Sequence, residues 1–154
     1  MKDLLPELYF GFIAILMLSE LVAGNLYSLI FAIERPAELM AVSIEVAYRH
    51  MSTLAVLDAI VGVGAGMVIW SIRHKEAVRM GRNGAFMTAL GMLAYGGYQF
   101  WHAMYQLGAT QPIIKAVGIT YAALGVGAWF VAGEIKWAKP SEPAKVTDKV
   151  SADD

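Results

Sequence analysis

The chain has 154 residues, 58% of them hydrophobic and only 16% charged, against about 25% charged for an ordinary soluble domain, and a water-soluble protein of this size has no interior large enough to hide that much apolar surface. A formal net charge of −1 excludes the basic excess that nucleic-acid binding requires. The absence of cysteine removes disulfides, thiolate metal sites and cysteine nucleophiles together.

The N-terminal stretch has no basic region, and its apolar run far exceeds that of a signal peptide, so it reads as a first membrane span. Crossing about 30 Å of hydrocarbon takes about 20 apolar residues in a helix. Four segments meet that length: 8–33, 51–72, 84–107 and 112–133. They are continuously apolar rather than alternating, which favours helices over barrel strands. The expected fold is therefore an all-α integral membrane bundle of four transmembrane helices occupying residues 1–137.

Between the first two spans, Pro36 followed by Glu38 marks a helix start. Residues 37–48 either lie along the interface or extend the second span outward, and the sequence leaves both open. The second span carries Ala55, Ala59, Gly62 and Gly66 at helical spacing; the third carries Gly91, Gly96 and Gly97; the fourth carries Gly118, Ala122 and Gly125. Helices in lipid approach closely at such residues, so the Gly62/Gly66 and Gly118/Ala122/Gly125 faces are expected to serve packing and association with other subunits or a second copy. The string Gly62-Val63-Gly64-Ala65-Gly66 has no strand before it and reads as packing rather than a phosphate loop.

Lys and Arg mark the cytoplasmic side. Arg73, Lys75, Arg79 and Arg82 lie between spans two and three, Lys136, Lys139, Lys145 and Lys149 lie after span four, and Lys2 falls on the same side; only Arg35, Arg49 and Lys115 oppose them. Both termini are thus expected to be cytoplasmic, in a plasma or bacterial inner membrane, with Trp70 and Trp137 at the inner boundary and Trp101 near the outer one. Residues 138–154 are polar and proline-containing and are expected to form a disordered tail.

Ionisable groups inside a span cost roughly 2.5–3.5 kcal/mol on insertion scales and so call for a reason. Glu20 lies mid-span in the first helix and Asp58 in the second. In the third, Tyr95, Gln99, His102 and Gln106 form one face, with Tyr98 and Tyr105 beside it. Counted at 1.5 Å per residue, Asn25, Asp58, Gln99 and Tyr121 all lie about eight or nine residues inside the outer boundary, with Glu20 deeper and His102 shallower. The expected intramembrane polar cluster is Glu20, Asn25, Asp58, Tyr95, Gln99, His102 and Tyr121. The plainer reading is interhelical hydrogen bonding at about 0.6 kcal/mol per contact. His50 and His74 read as interfacial.

Three functions fit such a cluster. The first is a small subunit of a larger respiratory or redox membrane complex, contributing to a quinone or other cofactor site. Sharper variants are a haem b held by His50 and His102, at depths that differ by two or more turns, or a metal held by His102, Asp58 and Glu20. The second is an oligomeric proton-coupled transporter or channel using Glu20 and Asp58 as proton-binding groups. The third is a scaffolding or assembly protein without chemistry of its own. No HExxH, nucleophile elbow or P-loop points to a self-contained enzyme.

Overall fold

The computed structural model describes residues 4–74, 77–104, 111–135 and 137, and every regular element among them is helical. Helix α1 (Leu4–Ser19) passes without a break into a π-helical turn at Glu20–Leu26 and then into α2 (Tyr27–Phe31). Helix α3 (Glu34–Met40) follows, then α4 (Ile44–Arg73), α5 (Val78–Met104) and α6 (Gln111–Glu134). The end of the expected third span, with Tyr105, Gln106 and Leu107, and the tail at 138–154 lie outside the described residues.

Three helical stretches are long and apolar enough to cross a membrane: Leu4–Phe31, Ile44–Arg73 and Pro112–Glu134. Helix α5 has the length, 27 residues, but less hydropathy. Its first turns carry Arg79, Arg82 and Asn83, and its inward face carries Thr88, Tyr95 and Gln99.

The region between the first two spans divides into a short separate helix and an outward extension of the second long helix. A separate short helix, α3, begins at Glu34 and holds Pro36 in its first turn, where no backbone N–H is needed. It ends at Ala41, whose φ of 52° and ψ of 43° are left-handed. Helix α4 then starts at Ile44, well outside the expected boundary at 51, because Ser43 caps it by accepting from the Val46 N–H at 3.3 Å and Glu45 lies in its first turn.

The long helices alternate in direction. At one end Arg73, closing α4, donates to Glu7 near the start of α1 at 2.8 and 2.5 Å. The Tyr9 hydroxyl donates to the Leu124 carbonyl of α6 at 2.7 Å. Helix α5 lies between α4 and α6, and α1 lies against α4 and touches α6. The distribution of side chains is inverted relative to a soluble protein: Asn25, His50, Asp58, Thr88 and Gln99 are buried, while Phe12, Ile15, Ile30, Val63, Phe86 and Phe130 face outward. This is compatible with a multi-pass membrane protein.

Glycines set the distance between helices. A Cβ at Gly84 would meet the Gly64 carbonyl at 2.5 Å, one at Gly125 the Ala89 carbonyl at 2.9 Å, and one at Gly96 the backbone of Gly118 and Ala122. Gly118 and Gly125 therefore pack inside the chain, as does Gly62, against Met17 and Leu18. The expected Gly62/Gly66 pairing gives way to Gly62 on α1 and Gly64 on α5, because one helix sits on each side of α4; nothing lies within 4 Å of Gly66. Gly96→Ala is expected to lower stability by about 1–3 kcal/mol, since the backbone of Gly118 and Ala122 and the Ala122 Cβ, none of which can swing aside, stand opposite it. Gly97→Ala, which points into open space, is expected to be neutral or stabilising. Reversible unfolding in mixed detergent micelles compares the two, and equal losses would show that close α5–α6 approach is not what Gly96 serves.

Candidate functional site

The polar residues gather at the end of the bundle that α3 covers, and the π turn is what aligns them. In a turn closed by i→i+5 hydrogen bonds, residues five apart lie over one another. The Tyr27 N–H accordingly reaches back to the Val22 carbonyl. Glu20 and Asn25, five apart, are thereby directed to one face, which a regular α-helix would divide.

Glu20 is held from two helices. The Tyr95 hydroxyl of α5 donates to its Oε2 at 3.0 Å, and the Tyr121 hydroxyl of α6 donates to its Oε1. The two phenol rings stack with centroids 4.4 Å apart and planes 18° from parallel. Gln99, one turn beyond Tyr95 on the same face, lies beside the Tyr95 side chain. Beside this group, Asn25 Nδ2 donates to Asp58 Oδ2 at 2.5 Å. Asp58 is fully buried, and among the described residues its Oδ1 has no partner; the same holds for Gln99 Oε1.

Six of the seven expected cluster members thus fall into two linked sets: Glu20 with Tyr95, Tyr121 and Gln99, and Asn25 with Asp58. Glu20 meets Tyr121 although residue counting puts it deeper, because counting locates Cα atoms and a tyrosine hydroxyl lies a side-chain length away. The seventh member, His102, joins a different group. Its ring lies 3.9 Å from that of His50, and the His50 ring stacks on Tyr98 at 5.3 Å with Nδ1 3.2 Å from the Tyr98 hydroxyl.

His50 is only 3% exposed, packed inside the bundle. The signal for this was in the sequence: His50, Leu54 and Asp58 recur at i, i+4 and i+8 and share one face of α4. His74 is exposed and stacks on Trp70.

The depth difference expected between His50 and His102 disappears, since α4 begins earlier than its apolar run and His50 lies a turn and more inside it. Their contact also leaves no room for a haem: axial imidazoles stand on opposite faces of the iron with the macrocycle between them, and these two rings touch. Nor do His102, Asp58 and Glu20 converge. Among the described residues no three His, Cys, Asp or Glu side chains form a group able to hold a metal ion.

Two cavities flank His50. The larger, about 580 Å³, is lined by Tyr27, Arg35, Met40, His50, Leu54 and Gln99 together with apolar side chains of α3 and α6. The smaller, about 350 Å³, lies on the other side of His50 against Arg49, Tyr98, Trp101 and His102. A mostly apolar cavity of the larger size with a few polar groups on its wall, Tyr27, Ser28, Arg35, His50 and Gln99, has the form of a small-molecule site.

No protein-family model, curated protein or solved structure matches this chain. The geometry of the site therefore stands without a relative beside it.

The Asn25–Asp58 bond crosses between the first and second long helices. A double-mutant cycle with Asn25→Leu and Asp58→Leu is expected to give a coupling of about 0.6–1.7 kcal/mol, the range for hydrogen bonds between helices in lipid. Additive losses in the same micelle unfolding assay would show that the pair contributes no interaction of its own.

Proposed function

We propose that this chain crosses the bilayer four times with both termini in the cytoplasm, and that it acts as a small subunit of a membrane redox complex by holding the ring of a quinone. The topology rests on direction. Helices α4 and α6 run the same way, so the chain must return between them, and α5, packed along both, makes that return. Lipid contact for α5 is limited by these neighbours, which is why its hydropathy is lower. The orientation rests on Arg73, Arg79 and Arg82 gathering at one end of the bundle.

The observation that carries the quinone reading is that His50 and Gln99 share the wall of one apolar cavity, with the Glu20–Tyr95–Tyr121 group directly behind Gln99. A quinone ring is flat and apolar with an oxygen at each end, and its reduction consumes protons. A mostly apolar cavity with polar groups on its wall and a partly buried acid behind Gln99 meets both needs. The chain supplies binding and proton-handling groups, and the electrons belong to a neighbouring subunit met through the outward apolar faces.

Asp58 favours a second reading, because a fully buried carboxyl with one unpartnered oxygen is also what a proton-coupled transporter uses. Glu20→Gln and Asp58→Asn would then abolish pH-driven flux into liposomes.

Two experiments test the main proposal. The chain has no cysteine, so Ala77→Cys and Met104→Cys each introduce a single thiol at opposite ends of α5. Membrane-impermeant reagent is expected to reach position 77 only from the cytoplasmic side and position 104 only from the other. Labelling of both from one side would remove the fourth crossing. Purified protein in liposomes is expected to bind decylubiquinone saturably and to lose about tenfold in affinity in His50→Leu, the equivalent of one good hydrogen bond. No saturable binding, or equal binding by the variant, would end the quinone reading.

A further inference from the structure

A further cavity, of about 380 Å³, lies at the other end of the bundle from the two beside His50. Arg82 near the start of α5, with Gly133 and Trp137 at the close of α6, places it where α4 also ends. Small residues, Ala85, Ala132 and Gly133, make room between the bulkier Phe86, Trp129 and Trp137. Trp137 is seated by its neighbour on α5, since its ring lies against Gly81, one residue before Arg82. At Gly133 a Cβ would meet nothing within 4 Å, so the space there is open.

This cavity belongs to the outside of the bundle. Phe86 is 55% exposed and Trp129 62%, so an occupant lies against surrounding hydrocarbon and not within the polar core. Arg82 stands one turn, about 6 Å, nearer the end of α5 than Phe86. Arg82 and Arg79 are both exposed, and among the described residues neither forms an ion pair. Glu7, the acid at this end of α1, is taken by Arg73, and Glu134 does not line the cavity. The site thus offers a cation without a counter-ion at its outer end and an aromatic slot one turn further in.

We infer that this cavity holds one anionic phospholipid, with its phosphate on Arg82 and the first part of an acyl chain between Phe86 and Trp129. A guanidinium takes a phosphate through two parallel hydrogen bonds, and aromatic rings at headgroup level mark the depth at which the chains begin. The demand for net negative charge comes from the surroundings. A zwitterionic headgroup would bring its own ammonium to an end of the bundle where Arg73, Arg79 and Arg82 already gather. A free anion would satisfy Arg82 and leave the aromatic slot empty, so the two parts of the site together select an amphiphile. The inference requires only that the outward apolar faces lie in lipid, and it is independent of the quinone reading.

The test uses the full chain in phosphatidylcholine liposomes, with lipids brominated on the acyl chain as probes that quench nearby tryptophan. Brominated phosphatidylglycerol is expected to reach half its limiting effect at a mole fraction about fivefold lower than brominated phosphatidylcholine, the factor that one Arg near a membrane surface supplies. Trp129→Phe is expected to remove the part of the signal that shows the preference. Arg82→Gln is expected to bring the two titrations together, and Arg82→Lys, which keeps the charge, to retain most of the difference. Gly133→Leu fills the open space and is expected to abolish the preference with helix content unchanged by circular dichroism. Millimolar inorganic phosphate is expected to leave the preference of the wild-type chain unaltered. Equal quenching by the two lipids, a preference that survives Arg82→Gln or Gly133→Leu, or displacement by inorganic phosphate overturns the inference.

Discussion

The arrangement depends on Glu20 being shared between Tyr95 and Tyr121. A carboxyl group within an apolar bundle is costly unless its oxygens are occupied, and at Glu20 one hydroxyl arrives from α5 and another from α6. The first long helix is thereby tied to the two long helices that do not directly follow it in the chain. Gln99 lies one turn beyond Tyr95 on the same face and lines the larger cavity, so the partly buried acid stands behind a wall it does not itself form.

That tie requires Glu20 and Asn25 to look the same way, and the π turn supplies the extra residue that makes this so. It also leaves the segment dependent on its partners. A π turn is rare and is stabilised by what it positions, so the bonds from Tyr95 and Tyr121 and the Asn25–Asp58 bond hold its backbone as much as the backbone holds them. The glycine contacts have a complementary role. By letting α5 approach α4 at Gly64/Gly84 and α6 at Gly96/Gly118, they bring the tyrosine hydroxyls within reach of a side chain on a third helix.

The apolar runs and their lengths were legible in the sequence because hydrocarbon selects on composition, which is visible residue by residue. So were most members of the polar cluster, since an amide or acid inside an apolar run stands out. What composition cannot carry is rotation about the helix axis. Nothing in Glu20–Leu26 announces a π turn, because it exists through tertiary contacts. Depth counting failed for His50 for a related reason: the apolar run begins near Met51, but the helix begins at Ile44 with its own Ser43 cap, so a residue at the edge of the run lies well inside the fold. Gly62 and Gly66 show the same limit. Their spacing is right for packing, but which neighbour lies on which side of α4 is decided by topology, and that gives the close contact to Gly64.

The two ends of the bundle differ in a way that bears on access. At the end where α1 begins, Arg73 locks onto Glu7 and Ser71 donates to the Ala77 carbonyl, so the helix ends are fastened to one another. At the other end the first long helix is interrupted after Phe31, and α3 turns back on a left-handed Ala41 over side chains of α4 and α6. The larger cavity lies under that turn, among Arg35, Pro36, Met40, Ile113 and Ile114. A left-handed alanine is a conformation that L side chains resist, at a cost of about 1–2 kcal/mol, and it persists because the contacts of α3 outweigh it. The covering of the cavity is therefore its least secure wall. Motion of α3 about Ala41 would open the cavity toward the surface without disturbing Glu20, its two tyrosines or the glycine contacts, because none of these lies on α3.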